Sequence, residues 1–402
     1  MPEGRSTYWP AVLAALAAGV VGGASIGKMP PALPFITQEF GLSLVAAGWL
    51  VSMFNVIALL AAVFFGIASD RLGAWRFCLT GLAIQIAGGA LGVLAHSAEA
   101  LLASRVLEGV GFVSVVVAAP VLMAAAASAA QRGLAFGLWG TYMPTGGALM
   151  IALSPPLLAA GGWRAVWIAL VVGAMLCLLW LALQRSRYAE VASPAPRSLA
   201  NVRSSLGQPV PWLLGGAFAV YTLQFYTVMV WLPTYLLETR GLGATASSLL
   251  TALYILFNAG GNFTGGFLVH RGARRGPTIG GSLAITALMF VGIFSTGLPD
   301  LVRYGLVLAY GFTTGVIPPM ANSGLTLARS PGEAGGIQGL IVQLSNIGTF
   351  VGPPIVASVV TASGSWESAR WVLLVAACIG IAFAIAMHRI ESRPTANARG
   401  PS

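Results

Sequence analysis

Charge is scarce in this chain. Of its 402 residues only 8% are Asp, Glu, Lys or Arg, against about 25% in an ordinary soluble domain. Lysine occurs once, as Lys28, and histidine three times, as His96, His270 and His388. So few charges cannot coat a water-soluble fold of this length, which excludes a soluble globular enzyme. The low hydrophobicity that marks extended disorder is missing too. Hydrophobic residues make up 57% of the chain, and mean hydropathy is +0.85. Cysteine is limited to Cys78, Cys177 and Cys378, all in or beside apolar stretches. They lack metal-ligand spacing, so neither a metal site nor a disulfide framework is expected. There is no nucleophile–base constellation and the histidines sit near loops or ends. No catalytic residues and no cofactor are expected.

Long apolar runs are what the chain has instead. A spanning helix needs about 20 apolar residues. Twelve candidate stretches occur, at 10–37, 44–67, 77–95, 98–122, 131–157, 163–183, 211–236, 245–269, 277–297, 301–325, 335–361 and 366–387. The run from Trp9 to Ile36 is longer than a signal core and lacks a clear cleavage site, so it reads as a retained first span. The longest connection runs from Gln184 to about Val210 and carries Arg185, Arg187, Arg197, Arg203 and three prolines. The expected organisation is a six-helix bundle over 1–184, a cytoplasmic linker over 185–210, a second six-helix bundle over 211–388 and a cytoplasmic tail over 389–402.

The formal net charge of +10 does not signal a nucleic-acid partner, because the basic residues do not cluster. With both termini cytoplasmic, the inner side holds 15 of the 21 basic residues, spread over every inner loop. That is the loop bias of a multi-pass membrane protein. The others are Lys28, Arg105, Arg164, Arg240, Arg303 and Arg370. Arg303, near the outer end of span ten, reads as an interfacial residue.

An internal repeat divides the chain. Gly41-Leu42, Gly66 and Arg71 recur as Gly241-Leu242, Gly266 and Arg271, with Asp70 aligned to His270, each at an offset of 200. Trp163 follows Gly-Gly after span five, and Trp366 follows Gly-Ser after span eleven. Two parallel six-span halves related by an axis along the membrane normal are a transporter arrangement, with a binding site at the repeat interface near the midplane.

Gly66-Ile67-Ala68-Ser69-Asp70-Arg71-Leu72-Gly73-Ala74-Trp75-Arg76 resembles the loop signature of the major facilitator superfamily, with one arginine replaced. The second-half copy, Gly266 to Arg275, has His270 in place of the acid. Arg105-Val106-Leu107-Glu108-Gly109-Val110-Gly111 resembles the same family's span-four signature. The resemblance covers essentially the whole chain. It implies an all-α membrane protein of 12 transmembrane helices in two pseudo-symmetric halves, and monomeric function. It also implies that Asp70, Arg71, Gly66 and Arg271 serve the cytoplasmic gate. Span five carries Gly140-Thr141-Tyr142-Met143-Pro144-Thr145-Gly146-Gly147, which lacks the Gly-Pro core usual in the family's drug–proton antiporters. Trp231-Leu232-Pro233-Thr234-Tyr235-Leu236 resembles the cyanate-porter branch, and an intramembrane lysine in span one is similar to the monocarboxylate carriers. Both branches handle small anions.

Lys28 lies well inside span one, about five residues beyond its centre, or roughly 7 Å at the helical rise. An ionisable group there is a functional hypothesis by default. Arg105 comes to a similar depth, and two cations at one depth make an anion site. Glu108 shares a helix face with Arg105, and either a structural ion pair or a proton-carrying role fits it. One acid cannot neutralise both cations, so an anionic substrate would supply the missing charge. Burial penalises a charged lysine, so Lys28 could also take up its proton with the anion. Anion entry works against the membrane potential by about 2.3 kcal/mol per charge per 100 mV, which one co-transported proton cancels. Asn55, Trp139, Tyr142, Tyr221, Gln224, Tyr226, Tyr254, Asn258, Gln343 and Asn346 are the remaining candidate substrate-binding residues, although Asn and Gln also serve as glue between helices. The leading expectation is an inner-membrane secondary transporter of a small organic or inorganic anion, working by proton symport. Proton-coupled efflux of amphipathic compounds and a non-transporting sensor on the same fold are the alternatives.

Overall fold

The computed structural model of the protein describes residues 6–188, 207–295, 297–324 and 331–392. Among these, every regular element is a helix. Lipid offers backbone N–H and C=O groups no partner, so an apolar run must satisfy them within itself. Helices α1 (Trp9–Gly27) and α2 (Met29–Phe40) make the first span, α3 (Leu44–Ser52) and α4 (Val56–Leu72) the second. The third and fourth are α5 (Ala74–Val93) and α6 (Ala98–Ala126). Helix α7 (Arg132–Trp139) opens the fifth, and α8 (Tyr142–Leu183) supplies the rest of it and the sixth. Straight, the 42 residues of α8 would reach about 63 Å, twice the roughly 30 Å hydrocarbon core. The backbone leaves the helical region at Gly161 and Gly162, where φ of Gly162 is 64°, and the chain reverses there.

Spans seven to nine are α9 (Pro209–Arg240), α10 (Ala244–His270) and α11 (Arg275–Ile293). Span ten joins α12 (Asp300–Gly315) to α13 (Ile317–Asn322), and α14 (Pro331–Ser363) and α15 (Ala369–Glu391) complete the set. Among the described residues, 10 stretches are long and apolar enough for a crossing. Dividing 132–183 at Gly162 adds one, and α10, made more polar by its Ser, Thr and Asn residues, adds another, giving the expected twelve. Several helices run past the expected ends, to Leu72, Ala126 and Arg240. Apolar runs stop where lipid stops, whereas a helix continues until something caps it. At equivalent ends of α2 and α9 that cap is a left-handed glycine, Gly41 and Gly241, both at φ 62°.

Two spans lose helical hydrogen bonds in the middle while their backbone stays in the right-handed helical region. Lys28 joins α1 to α2 just before Pro30-Pro31, and Val316 joins α12 to α13 just before Pro318-Pro319. Proline brings no N–H, so the helical ladder loses its rungs there. A short 3₁₀ segment, Met53–Asn55, likewise interrupts span two.

The face carrying Trp9 and Glu391 is called here the terminal face, and that carrying Gly41 and Gly241 the far face. The first six spans meet the last six along α8–α10, α3/α4–α14 and α2–α9. Near the far face Gly48 lies against the backbone of Pro353 and Pro354, and Trp49 meets Phe350 edge-on at 5.5 Å. At mid-depth the Asn346 amide donates to Ala58 O at 3.3 Å, and the Gln343 amide to Leu59 O. Of the expected linker, 189–206 lie outside the described residues, as do 393–402 of the tail. Arg185–Arg187 form a 3₁₀ turn, and the Tyr188 hydroxyl donates to Ala11 O at 2.5 Å.

Glycine sets the closest approach in the first bundle. A Cβ on Gly27 would stand 2.5 Å from the carbonyl oxygen of Gly147 and 2.7 Å from its Cα. Both atoms are backbone, so no rotamer change relieves the clash. Gly27→Val should cost about 1–3 kcal/mol, the range for overpacking, read as a lower thermal midpoint of the purified protein. An unchanged midpoint contradicts the α1–α8 contact.

Candidate functional site

Lys28, at the junction of α1 and α2, lies against α6. Its Nζ is ion-paired with Glu108 Oε1. The other carboxylate oxygen, Oε2, accepts from Arg105 Nη1 at 2.6 Å. Arg105 and Glu108 are three residues apart on α6 and so share a face. Arg105 Nη1 also donates to Ser25 O at 3.1 Å, which ties α6 back to α1. Lys28 and Arg105 are 0% exposed and Glu108 1%. Aromatic rings cover both cations: Lys28 Nζ is 4.0 Å from the Trp167 ring centroid, and Arg105 Cζ 4.5 Å from that of Phe54. Such contacts gain strength when desolvated. Helix α5 reaches the carboxylate because it presents glycine. A Cβ on Gly88 would lie 2.8 Å from Glu108 N, and one on Gly89 3.5 Å from Oε1.

Two cations and one carboxylate leave the cluster with one positive charge in excess when all are ionised. Arg105 Nε and Nη2 are buried and have no hydrogen-bond partner among the described residues. A guanidinium is always charged and presents a fork that suits a carboxylate. Beside it, Asn55 Nδ2 donates to the Tyr226 hydroxyl at 3.2 Å, joining the first six spans to the last six. Asn55 directly follows Phe54, whose ring covers the Arg105 guanidinium, so the bond between the halves starts one residue from the cluster's wall.

The other expected residues fall into separate groups. Trp139 and Tyr142 stack on each other at 4.3 Å and pack against α1 at Gly19. Gln343 and Asn346 reach the carbonyls of span two, as described above. Tyr221 and Tyr254 belong to a ladder Phe218–Tyr221–Phe225–Tyr254–Tyr310, with successive centroids 5.5, 5.6, 5.2 and 5.7 Å apart. Gln224 donates to Leu373 O at 2.9 Å, and Asn258 to Gly311 O at 3.2 Å. Both of these act as glue within the second bundle. Asp70 and Gly66 lie in α4, but their side chains lie outside the described residues. Arg71 and Arg271 are exposed, and Arg271 Cζ lies 4.5 Å from the Phe267 ring centroid.

Arg303 lies in the first turn of α12, near the end of span ten, and is buried there. It donates to Ile293 O at 2.9 Å and Leu298 O at 3.1 Å, and pairs with Asp300. Backbone carbonyls at the end of α11 draw it in, and it pins the turn to α12.

Several partners were not foreseen from sequence. Ser25 contributes a carbonyl, which has no residue signature, and Trp167 and Phe54 look like ordinary core. Trp163 Nε1 donates to Glu39 Oε2 at 2.6 Å, and Trp366 Nε1 to Glu238 Oε2 at 2.8 Å. The tryptophans stand out in the repeat. Their acids sit 199 positions apart, so the 200-residue offset passes over them.

A twelve-span helical bundle with a charged cluster buried among its first six spans has the make-up of a multi-pass membrane transporter. The family model of the Major Facilitator Superfamily matches residues 13–353, and the chain belongs to that superfamily. It is a transporter and not an enzyme. It is 22% identical over 384 residues to a hexuronate transporter of Bacillus subtilis, covering 90% of each chain. It is 30% identical over 228 residues to a galactose-proton symporter of Escherichia coli K12, covering 51% of this chain and 49% of that one. In three dimensions it matches a bacterial homologue of the human lysosomal transporter Spinster, crystallised in an inward-facing and occupied conformation. The TM-score is 0.82 at 17% identity, over 98% of this chain and 100% of the other.

Removing one member of a buried ion cluster strands the others, at a cost of about 3–5 kcal/mol. Glu108→Gln should therefore lower thermal stability strongly, and adding Lys28→Met should recover part of the loss, since Arg105 stays unpaired. Equal midpoints for the wild type and Glu108→Gln contradict the shared-carboxylate arrangement.

Proposed function

We propose that this protein moves a small organic anion of the carboxylate type across the bacterial plasma membrane, together with a proton. The observation that carries the reading is the pair of buried, unpartnered Arg105 N–H groups in a cluster with one excess positive charge. A carboxylate supplies both the missing charge and the missing acceptors, and charge-assisted hydrogen bonds of this kind are the strong ones. Asn55 and Tyr226 flank the same place and offer further polar contacts from both halves.

Proton coupling follows from competition. In the empty site Glu108 holds Arg105. A proton on Glu108 weakens that hold and frees the guanidinium for the incoming anion. Anion and proton then favour each other's binding, as linkage requires. Release of the proton returns Glu108 to Arg105 and expels the anion. Glu108 is enclosed by two cations, which makes it a poor counter-ion for a cationic drug and speaks against the efflux reading.

Alternating access comes from rocking of residues 1–184 against 211–388, with the gate near Gly66, Asp70, Arg71 and Arg271. Both termini lie in the cytoplasm in this reading. It is supported by the arginines of the terminal face, among them Arg71, Arg76, Arg132, Arg185, Arg187, Arg271, Arg274 and Arg389. The reading is supported further by the hexuronate and proton-symport functions named for the two relatives. The protein acts as a monomer.

Proteoliposomes containing the purified protein test this reading with labelled carboxylates, hexuronate included, and with amphipathic cations. Carboxylate uptake should rise as the external pH falls. It should be lost in Arg105→Ala and remain poor in Arg105→Lys, because an ammonium lacks the planar fork. Carboxylate flux unchanged in Arg105→Ala, or flux of cations alone, overturns it.

A further inference from the structure

Beyond the central cluster, toward the far face, lies a chamber of about 460 Å³, within the size range of small-molecule sites. It opens between the ends of α2, α9 and α14. Trp231 is on its wall, five residues past Tyr226 on α9, or about 7.5 Å along the helix. Thr37, Thr234, Glu238, Thr239 and Trp366 also line it.

Acceptors outnumber donors on this wall, where the Thr234 hydroxyl is the free donor among the described residues. The Thr37 hydroxyl donates to Pro34 O at 2.8 Å, and that of Thr239 to Tyr235 O at 2.5 Å. Both protons are committed, so both oxygens are left as acceptors. The Glu238 carboxylate accepts the Trp366 indole through Oε2, and Oε1 has no partner among the described residues. The hydroxyl of Thr234, a residue only 4% exposed, is buried with no partner among the described residues. No Lys, Arg or His lines the chamber. An acceptor-rich wall with a carboxylate and no cation repels a bare anion and receives a ligand that brings its own donors. The apolar remainder, including Leu33, Pro34 and the two indoles, suits the C–H face of such a ligand.

We propose that the far-face chamber is a second binding station, which takes a neutral, polyhydroxylated solute through Thr234 and Glu238. It requires neither Lys28 nor Arg105, so it stands or falls apart from the anion reading.

Saturation-transfer NMR on the purified full-length protein reads such binding directly, with D-glucitol as the neutral polyol, choline as the cation and propionate as the unhydroxylated anion. Glucitol should give a saturable signal in the wild type, and the same signal in Arg105→Ala. In Thr234→Val and in Glu238→Gln its affinity should fall by about three- to tenfold, the weight of one hydrogen bond. Thr234→Val is close in shape, and Glu238→Gln keeps an acceptor for the Trp366 indole, so either variant decides if the other does not yield monodisperse protein. No glucitol signal overturns the proposal. So does a signal unchanged in both chamber variants, or chamber-dependent binding of choline or propionate alone.

Discussion

Glu108 accepts from Lys28 with one oxygen and from Arg105 with the other, in a place where none of the three reaches water. Burying three ionised groups costs several kcal/mol each unless they satisfy one another. The surrounding architecture follows from that demand. Lys28, just ahead of Pro30-Pro31, reaches the carboxylate from span one. Gly88 and Gly89 let α5 close behind it. Trp167 and Phe54 lie over the two cations, and the Ser25 carbonyl takes one guanidinium proton. The arrangement balances incompletely, because Arg105 keeps two N–H groups without acceptors. That residue of imbalance is what a substrate can act on.

The fold supplies a frame in which such an imbalance can be exposed alternately to two sides. Glycine contacts such as Gly27 on Gly147 lock helices within the first bundle. The contacts between bundles differ in kind. They include a tryptophan edge at Phe350, side-chain amides on the carbonyls of Ala58 and Leu59, and the Asn55–Tyr226 bond. These are individually modest interactions, about 0.6 kcal/mol for a typical interhelical hydrogen bond in a membrane, and separable without unpacking either bundle. The repeat also survives at the far face, where Trp163 and Trp366 each tie a span-joining turn to an acid at the end of α2 or α9.

Much of this was legible in the residues. Hydropathy alone placed the twelve spans, since lipid forces any long apolar run into a helix. The isolated Lys28, with Arg105 and Glu108 in span four, marked the central cluster because buried charge is expensive and rare. Three things were not legible. Helix ends depend on caps such as Gly41, not on hydropathy. The anchors of Arg303 are largely backbone carbonyls, which carry no residue signature. The roles of Gln224 and Asn258 turn on which neighbour their amides face, and a linear pattern of polar residues within spans does not distinguish a cavity wall from a helix seam. The far-face chamber was hidden for the same reason, since Thr37, Thr234 and Glu238 come together only in three dimensions.

The central claim is that anion and proton meet at the carboxylate shared by Lys28 and Arg105. Proton uptake on adding a carboxylate to the purified protein in weakly buffered solution tests it most directly. The account predicts about one proton taken up per anion bound, near the pH of half-maximal binding, and none in Glu108→Gln. Anion binding with no proton uptake in the wild type, or with undiminished uptake in Glu108→Gln, would contradict it.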